Sequence, residues 1–184
     1  MIRLALPFYG AFAAAAFLWG ALAGRPSLSL VPPSWRVAGL GAAAGLGLGL
    51  SVVAASRLLL RWTRWGRELF DWFAGVLGPI SSRSALLLAA LSATGEELLF
   101  RGAMQPSLGL WPTSAIFALL HFPQRARLWP WTLTAGLLGL ALGAIAQRSA
   151  HLGGPLLAHF VINAVNLGEV GRHAQRQPRD TAAG

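Results

Sequence analysis

The chain has 184 residues, of which 55% are hydrophobic and only 11% are charged, whereas soluble domains carry charge at about a quarter of their positions. This composition excludes a water-soluble globular domain and predicts an integral membrane protein. Because the sequence contains no cysteine, it also excludes disulfide bonds, thiolate metal sites and a cysteine nucleophile.

The net charge of +9 comes from fifteen arginines and no lysine. A chain this basic could bind nucleic acid, but its arginines are scattered between apolar runs instead of lying on one polar face. We therefore predict no nucleic-acid partner, and we expect the lipid bilayer to be the chain's surroundings.

Six apolar segments predict an all-α, polytopic membrane helical bundle, since a helix needs roughly 20 apolar residues to cross a hydrocarbon core of roughly 30 Å. They lie at residues 4–23, 37–60, 84–104, 112–122, 131–146 and 155–168. We expect one integral-membrane domain over residues 1–170 and a polar, disordered tail over residues 171–184.

The first segment has an alternative interpretation as a secretory signal, because Arg3 precedes an apolar run that ends in Ala-Leu-Ala at residues 21–23. Its apolar stretch exceeds the roughly 7–15 residues usual in a signal peptide. An uncleaved span is therefore favoured over a cleaved signal at residues 1–23.

Between the second and third spans, residues 61–77 combine apolar positions at helical spacing with charged residues between them. This pattern predicts an amphipathic helix that lies in the membrane interface, with its tryptophans at headgroup level. A solvated linker and an extension of the second span are the alternatives. The apolar positions are Trp62, Trp65, Leu69, Trp72, Phe73 and Val76.

The distribution of arginines predicts the orientation of the chain. With six spans, eleven arginines lie on one side of the membrane and Arg25, Arg36 and Arg148 lie on the other. Because cytoplasmic loops carry the excess of positive charge, we expect both termini in the cytoplasm.

Three charged residues lie inside the third span: Glu96, Glu97 and Arg101. A charge at the centre of a membrane helix costs roughly 2.5–3.5 kcal/mol on insertion scales, so their presence indicates a paired and functional arrangement. Glu97 and Arg101 are four residues apart, with the acid first, which favours a helical ion pair. Glu96 is left without a partner and is the candidate general base.

Further polar side chains lie in two of the other apolar segments. The fourth segment contains Phe117 and His121, and the sixth contains His159 and Asn163, each pair on one helical face. The helical rise places Glu96 and these polar residues at a similar depth in the outer half of the membrane. Asn166, one turn beyond Asn163, is expected to be a packing group or to support the site residues from behind.

The strings Glu96-Glu97-Leu-Leu-Phe-Arg101, Phe117-Ala-Leu-Leu-His121 and His159-Phe-Val-Ile-Asn163 resemble three motifs, EExxxR, FxxxH and HxxxN/D. In this order they are typical of the CPBP family, which comprises CAAX prenyl endopeptidases and bacteriocin-processing relatives and is described as glutamic-type intramembrane proteases. The resemblance covers about residues 84–167.

The resemblance implies a role for each motif residue. Glu96 and His121 would activate a water molecule for attack on a peptide carbonyl, and Glu97 and Arg101 would hold that centre in place. His159 and Asn163 would donate hydrogen bonds to the developing oxyanion. No metal or other cofactor is implied.

Within the family, the chain is more similar to the bacterial branch proposed to trim C-terminal sorting signals, such as the myxosortases. We therefore expect a membrane-anchored protein or peptide as substrate, cleaved near its C-terminus. The expected location is the bacterial inner membrane.

Two alternatives remain open at this point. A zinc protease could use Glu96, His121 and His159 as three ligands with an open fourth position, although the sequence has no HExxH motif. A non-catalytic relative could bind a bacteriocin peptide and confer self-immunity. An ion pathway is disfavoured because the chain shows no paired inverted repeat.

The remaining histidines, His151 and His173, are expected at the interface or in solvent.

Overall fold

The computed structural model describes residues 2–24, 30–123 and 125–176, and all the regular structure in these ranges is helical. The prediction of an all-α helical bundle is confirmed. In chain order the helices are α1 (Ile2–Ala23), α2 (Trp35–Trp62), α3 (Arg64–Leu77), α4 (Ser82–Glu96), a π-helical turn (Glu97–Met104), α5 (Gln105–Leu108), α6 (Leu110–Leu120), a 3-10 turn (Ala126–Leu128), α7 (Trp129–Ser149) and α8 (Gly153–Arg176).

Three described helical segments are long and apolar enough to cross a membrane, namely Arg3–Ala23, Trp35–Trp62 and Ala126–Ser149. The helical pair Arg64–Leu77 and Ser82–Leu108, bent by 99°, raises the number to four if it forms one broken span. The prediction of six spans is therefore too high, although each predicted segment does lie in a helix.

Two of the predicted spans fail for different physical reasons. The 11 residues of α6 extend only about 16 Å at 1.5 Å per residue, which is too short for a hydrocarbon core. The 24 residues of α8 are long enough, but the helix contains two histidines, two asparagines and Glu169, which lower its mean hydropathy.

The predicted amphipathic helix is present as α3, and it is separate from α2. Thr63 has extended backbone angles and caps the new helix by accepting a hydrogen bond from the Gly66 backbone N–H. Extension of the second span is therefore wrong. Ala74 is buried, whereas Arg64 and Arg67 are exposed, so the apolar side of α3 packs on the bundle and its charged side faces outward.

Glycines allow α2 and α8 to pack in close contact. A Cβ atom at Gly45 would overlap the carbonyl oxygen of Gly154, and one at Gly49 would lie 3.2 Å from the carbonyl oxygen of Ala158. Small residues permit this close approach between membrane helices. This contact sets the position of α8, which carries part of the candidate site.

The C-terminal part of the chain differs from the prediction. Helix α8 continues to Arg176, so residues 171–176 are helical and do not belong to a disordered tail. His173 lies in this last part of α8 with its Nε2 atom 2.8 Å from Asp71 Oδ1 on α3. The predicted tail residues 177–184 lie outside the described residues.

His151 was expected at the interface or in solvent, but it is buried with 6% of its surface exposed. Its Nδ1 atom accepts a hydrogen bond from the Gly153 N–H at 3.2 Å, so its Nε2 atom carries the hydrogen that is donated to the Leu30 carbonyl at 2.9 Å. The side chain therefore ties the segment before α2 to the turn before α8.

Candidate active site

Glu97 and Arg101 form a buried ion pair inside the bundle. Their side chains are 0% and 1% exposed, and Arg101 Nη1 lies 3.0 Å from Glu97 Oε1. The second terminal nitrogen of Arg101 donates to the Gly139 carbonyl at 3.3 Å, and the guanidinium lies 4.4 Å from the centroid of the Phe117 ring. These contacts compensate a charge that would otherwise be costly to bury.

The residues that follow Glu96 form a π-helical turn over Glu97–Met104. Its i→i+5 hydrogen bonds widen the helix, and such turns occur frequently at functional sites. The four-residue spacing of Glu97 and Arg101 predicted the ion pair correctly. Nothing in the spacing indicated the π-helical backbone of this turn, which packs against α1, α6 and α7.

Glu96 is separate from this ion pair, as predicted. The residue is 7% exposed, and its Oε2 atom is buried without a hydrogen-bond partner among the described residues. The same oxygen lies 3.8 Å from His121 Nε2 and 3.8 Å from His159 Nε2. One unpaired carboxylate oxygen therefore faces two imidazole nitrogens.

His121 follows the last residue of α6, and its ring orientation is determined by the backbone. The Nδ1 atom lies 2.7 Å from the Phe117 carbonyl oxygen, which can only accept, so Nδ1 carries the hydrogen. In the neutral ring the lone pair is then on Nε2, which faces Glu96. The His121 and Phe117 rings also pack with centroids 4.3 Å apart.

His159 of α8 connects the two glutamates. Its Nδ1 atom lies 2.7 Å from Glu97 Oε1, the oxygen that also accepts from Arg101, and its Nε2 atom faces Glu96. The three motifs therefore converge from the α4 end, α6 and α8 on one buried cluster. The structure brings Glu96, Glu97, Arg101, His121 and His159 together.

Asn163 of α8 contacts a residue that the sequence did not single out. Its side-chain nitrogen donates to Ser92 Oγ at 2.9 Å, and the Ser92 hydroxyl in turn donates to the Ala89 carbonyl at 3.2 Å. Ser92 lies four residues before Glu96, on the same face of α4. This spacing was the available signal, but a serine in an apolar helix is too common to be assigned on that basis.

Asn166 lies away from this cluster, in contact with α2. Its side-chain nitrogen donates to Ser56 Oγ at 3.4 Å, and Ser56 donates to the Val52 carbonyl at 2.9 Å. The geometry agrees with the packing role expected from the sequence.

The cluster is most accessible on the side of His121. The His121 side chain is 25% exposed, compared with 10% for Glu96 and 5% for His159. Trp131 of α7 borders this side, with its ring centroid 6.0 Å from that of His121 and 5.3 Å from that of Phe73 on α3. His121 and Trp131 therefore lie at the most accessible side of the cluster.

The metal-binding alternative can be compared with this geometry. Across residues 2–24, 30–123 and 125–176, no group of three or more histidine, aspartate and glutamate side chains is arranged to hold a metal ion. The Glu97 carboxylate is already paired with Arg101 and His159 through its Oε1 atom. We call the group formed by Glu96, Glu97, Arg101, His121 and His159 the acid–imidazole cluster.

Comparison with known proteins adds an independent observation. The family described as "Type II CAAX prenyl endopeptidase Rce1-like" matches residues 79–165, a range that contains the whole acid–imidazole cluster. The chain is also 30% identical over 141 residues to "Uncharacterized protein YpbD" of Bacillus subtilis (strain 168), covering 74% of this chain and 72% of the relative. No solved structure matches significantly.

The order of the three motifs, the convergence of their side chains and the two matches all indicate the same family. The chain belongs to the Rce1-like, CPBP-type family of membrane CAAX proteases.

Proposed function

We propose that this protein is an intramembrane endopeptidase that uses water activated by Glu96 and His121. The observation that carries the proposal is the buried and unpaired Glu96 Oε2, which lies 3.8 Å from two imidazole Nε2 atoms. Two polar atoms at that separation can both contact one water molecule at about 2.8 Å. A carboxylate in that position is suited to general-base chemistry.

The first step of the proposed reaction is attack of this water on a peptide carbonyl. Glu96 accepts the proton of the water, and the lone pair on His121 Nε2 accepts its second hydrogen bond and orients it. The tetrahedral intermediate then collapses as Glu96 returns the proton to the leaving amine. The carbon–nitrogen bond breaks, and Glu96 is regenerated as a carboxylate.

His159 and Asn163 are proposed to stabilise the oxyanion of that intermediate. Because His159 Nδ1 donates to Glu97, a hydrogen on Nε2 requires the doubly protonated ring. The negative charge of Glu97 favours that imidazolium form. Asn163 adds a neutral amide donor, and donors aimed at the oxyanion contribute strongly to catalysis in a water-poor site.

We propose that the reaction is independent of metal ions. The geometry supports this, since Glu96, His121 and His159, the three ligands of the zinc alternative, do not form a metal-holding group in the part of the chain that the structure describes. The test is treatment of the purified protein with a chelator, followed by metal analysis. Activity that is lost with the chelator and restored by zinc would replace this mechanism with the zinc-dependent alternative.

The proposed substrate is a membrane-anchored protein that is cleaved near its C-terminus, in a sorting signal. The family description, which names CAAX prenyl endopeptidases, supports cleavage at a C-terminal tail. Comparative mass spectrometry of membrane-protein C-termini in cells with and without this protein would identify the substrate. We expect a shared truncated motif in the cells that contain the protein.

A glutamate variant with a matched control separates catalysis from binding. Glu96→Gln should abolish the truncation while the protein remains folded in detergent, whereas Glu169→Gln, at the far end of α8, should not affect it. Truncation that persists in the Glu96→Gln cells would contradict the proposed mechanism. An immunity phenotype that Glu96→Gln preserves would instead support the non-catalytic peptide-binding alternative.

We further propose a location in the bacterial inner membrane with both termini in the cytoplasm. If the bent helix pair is counted as one span, the chain has four spans and both of its ends lie on the same side of the membrane, and the positive-inside rule assigns that arginine-rich side to the cytoplasm. Reporter domains fused to each end provide the test, and a reporter that is active only outside the cytoplasm would contradict it.

We also propose that α1 is retained as part of the working protein. Its Phe12 ring packs against Phe100 with centroids 6.4 Å apart, and α1 contacts α4 beside Glu96. N-terminal sequencing of the purified protein would test this, and a mature start at Gly24 would contradict it.

A further inference from the structure

A polar contact on the α1 side of the site is not used in the mechanism above. Ser92 Oγ accepts a hydrogen bond from Asn163 at 2.9 Å and donates its own hydrogen to Ala89. Ser92 is 4% exposed and therefore lies inside the helix bundle. A hydroxyl oxygen has two acceptor positions, and only one of them is occupied by Asn163.

Tyr9 of α1 is a second polar side chain in contact with Ser92. The Tyr9 side chain interacts with Ser92 and with the charge of Glu96. The Tyr9 backbone can approach α4 this closely because residue 95 is glycine. A Cβ atom at Gly95 would lie 3.0 Å from the Tyr9 carbonyl oxygen and 3.1 Å from the Tyr9 Cβ. The absence of a side chain at residue 95 thus allows α1 to approach α4 directly beside the catalytic glutamate.

We propose that Ser92 and Tyr9 are positioning residues, which orient the Asn163 amide toward the reacting carbonyl. The inference rests on the proposed function, since it assumes that Asn163 contacts the oxyanion. Because the Ser92 hydrogen is committed to Ala89, Ser92 can only accept from Asn163, and this determines which end of the amide faces it. One N–H of Asn163 is used by Ser92, and the other is free for substrate.

The chain contains a matched control for this pair. Asn166 and Ser56 make the same amide-to-hydroxyl contact one turn further along α8, and Ser56 likewise donates to a backbone carbonyl, that of Val52. This second pair faces α2 and does not contact the acid–imidazole cluster. Loss of a serine hydroxyl or an asparagine amide can therefore be compared inside and outside the site.

The contact between Tyr9 and Ser92 can be tested without any substrate, because Tyr9 is the single tyrosine of the chain. Protein labelled with fluorotyrosine should give one fluorine resonance. We expect Ser92→Ala to shift this resonance and Ser56→Ala to leave it unchanged. A resonance that does not respond to Ser92→Ala, or that responds equally to both variants, would overturn the proposed contact.

The role of the pair is tested by cleavage kinetics on the substrate identified by C-terminal mass spectrometry. We expect kcat to fall about 100-fold in Asn163→Ala, and about 10-fold in Ser92→Ala and in Tyr9→Phe, with KM nearly unchanged. Because Ser92 acts through Asn163, the double variant Ser92→Ala/Asn163→Ala should be no slower than Asn163→Ala alone. Ser56→Ala and Asn166→Ala should keep the wild-type kcat.

The outcomes distinguish this inference from the proposed function. Effects of Ser92→Ala and Asn163→Ala that multiply, or a change confined to KM, would show that Ser92 does not position Asn163, while the protease mechanism would stand. Wild-type cleavage by Glu96→Gln would instead overturn the mechanism, and with it the role given to Asn163. The fluorine experiment would still decide the Tyr9 contact in that case.

Discussion

His159 Nδ1 lies 2.7 Å from Glu97 Oε1, the same oxygen that receives Arg101 at 3.0 Å. The single oxygen Glu97 Oε1 thus accepts hydrogen bonds from both His159, a candidate catalytic residue, and the buried Arg101. The preceding residue, Glu96, forms no hydrogen bond with its buried Oε2 atom, which lies 3.8 Å from His159 Nε2. Adjacent glutamates therefore have different tasks, and variants at the two positions should behave differently.

Glu97→Gln should destabilise the protein, because it leaves the buried Arg101 without a counter-charge. Breaking a buried ion pair costs roughly 3–5 kcal/mol. Thermal unfolding in detergent should show a clear loss of stability for Glu97→Gln and little change for Glu96→Gln. Equal stability of the two variants would contradict the different roles assigned to the two glutamates.

His121→Ala should lower kcat by about 100-fold, because the attacking water loses the hydrogen-bond acceptor that orients it. Its side chain is 25% exposed, so the melting temperature should change little. His173→Ala, which removes a histidine outside the cluster, is the control and should cleave normally. Cleavage by His121→Ala at the control rate would remove His121 from the mechanism.

Trp131→Ala should raise KM more than it lowers kcat. Trp131 borders the accessible side of the cluster, with its ring centroid 6.0 Å from that of His121. We expect KM to rise about fivefold, which corresponds to roughly 1 kcal/mol of lost substrate contact. Trp129→Ala, on the exposed first turn of α7, serves as the comparison. A larger effect on kcat than on KM would place the entry route elsewhere.

Gly45→Ala should destabilise the bundle, since the new Cβ would overlap the Gly154 carbonyl and separate α2 from α8. Overpacking of this kind costs about 1–3 kcal/mol. Gly47→Ala is the matched control, because no atom lies within 4 Å of a Cβ at that position, and alanine is the better helix former. The two variants should therefore shift the melting temperature in opposite directions.

Part of the site could be predicted because it depends on local geometry. The four-residue spacing of Glu97 and Arg101 places the two side chains on one helix face whatever surrounds the helix, and the structure has the ion pair. The same reasoning left Glu96 as the unpaired acid. The order of the three motifs indicated which other helices contribute side chains.

Other features required the packed structure. The π-helical turn, the contact of Ser92 with Asn163 and the burial of His151 each depend on partners that are distant in the chain. The span count was wrong because α6 has only 11 residues and because the polar residues of α8 lower its mean hydropathy.

The sequence by itself determined that this chain is a helical membrane protein and which acids, histidines and arginine lie within its apolar helices. These properties follow from composition and from the helical period, which are local. Only the tertiary structure decided that Glu96 Oε2 lies between His121 and His159, and that α1 brings Tyr9 to Ser92. Those relationships depend on how closely the helices pack, and the glycines at residues 45, 95 and 154 control that distance.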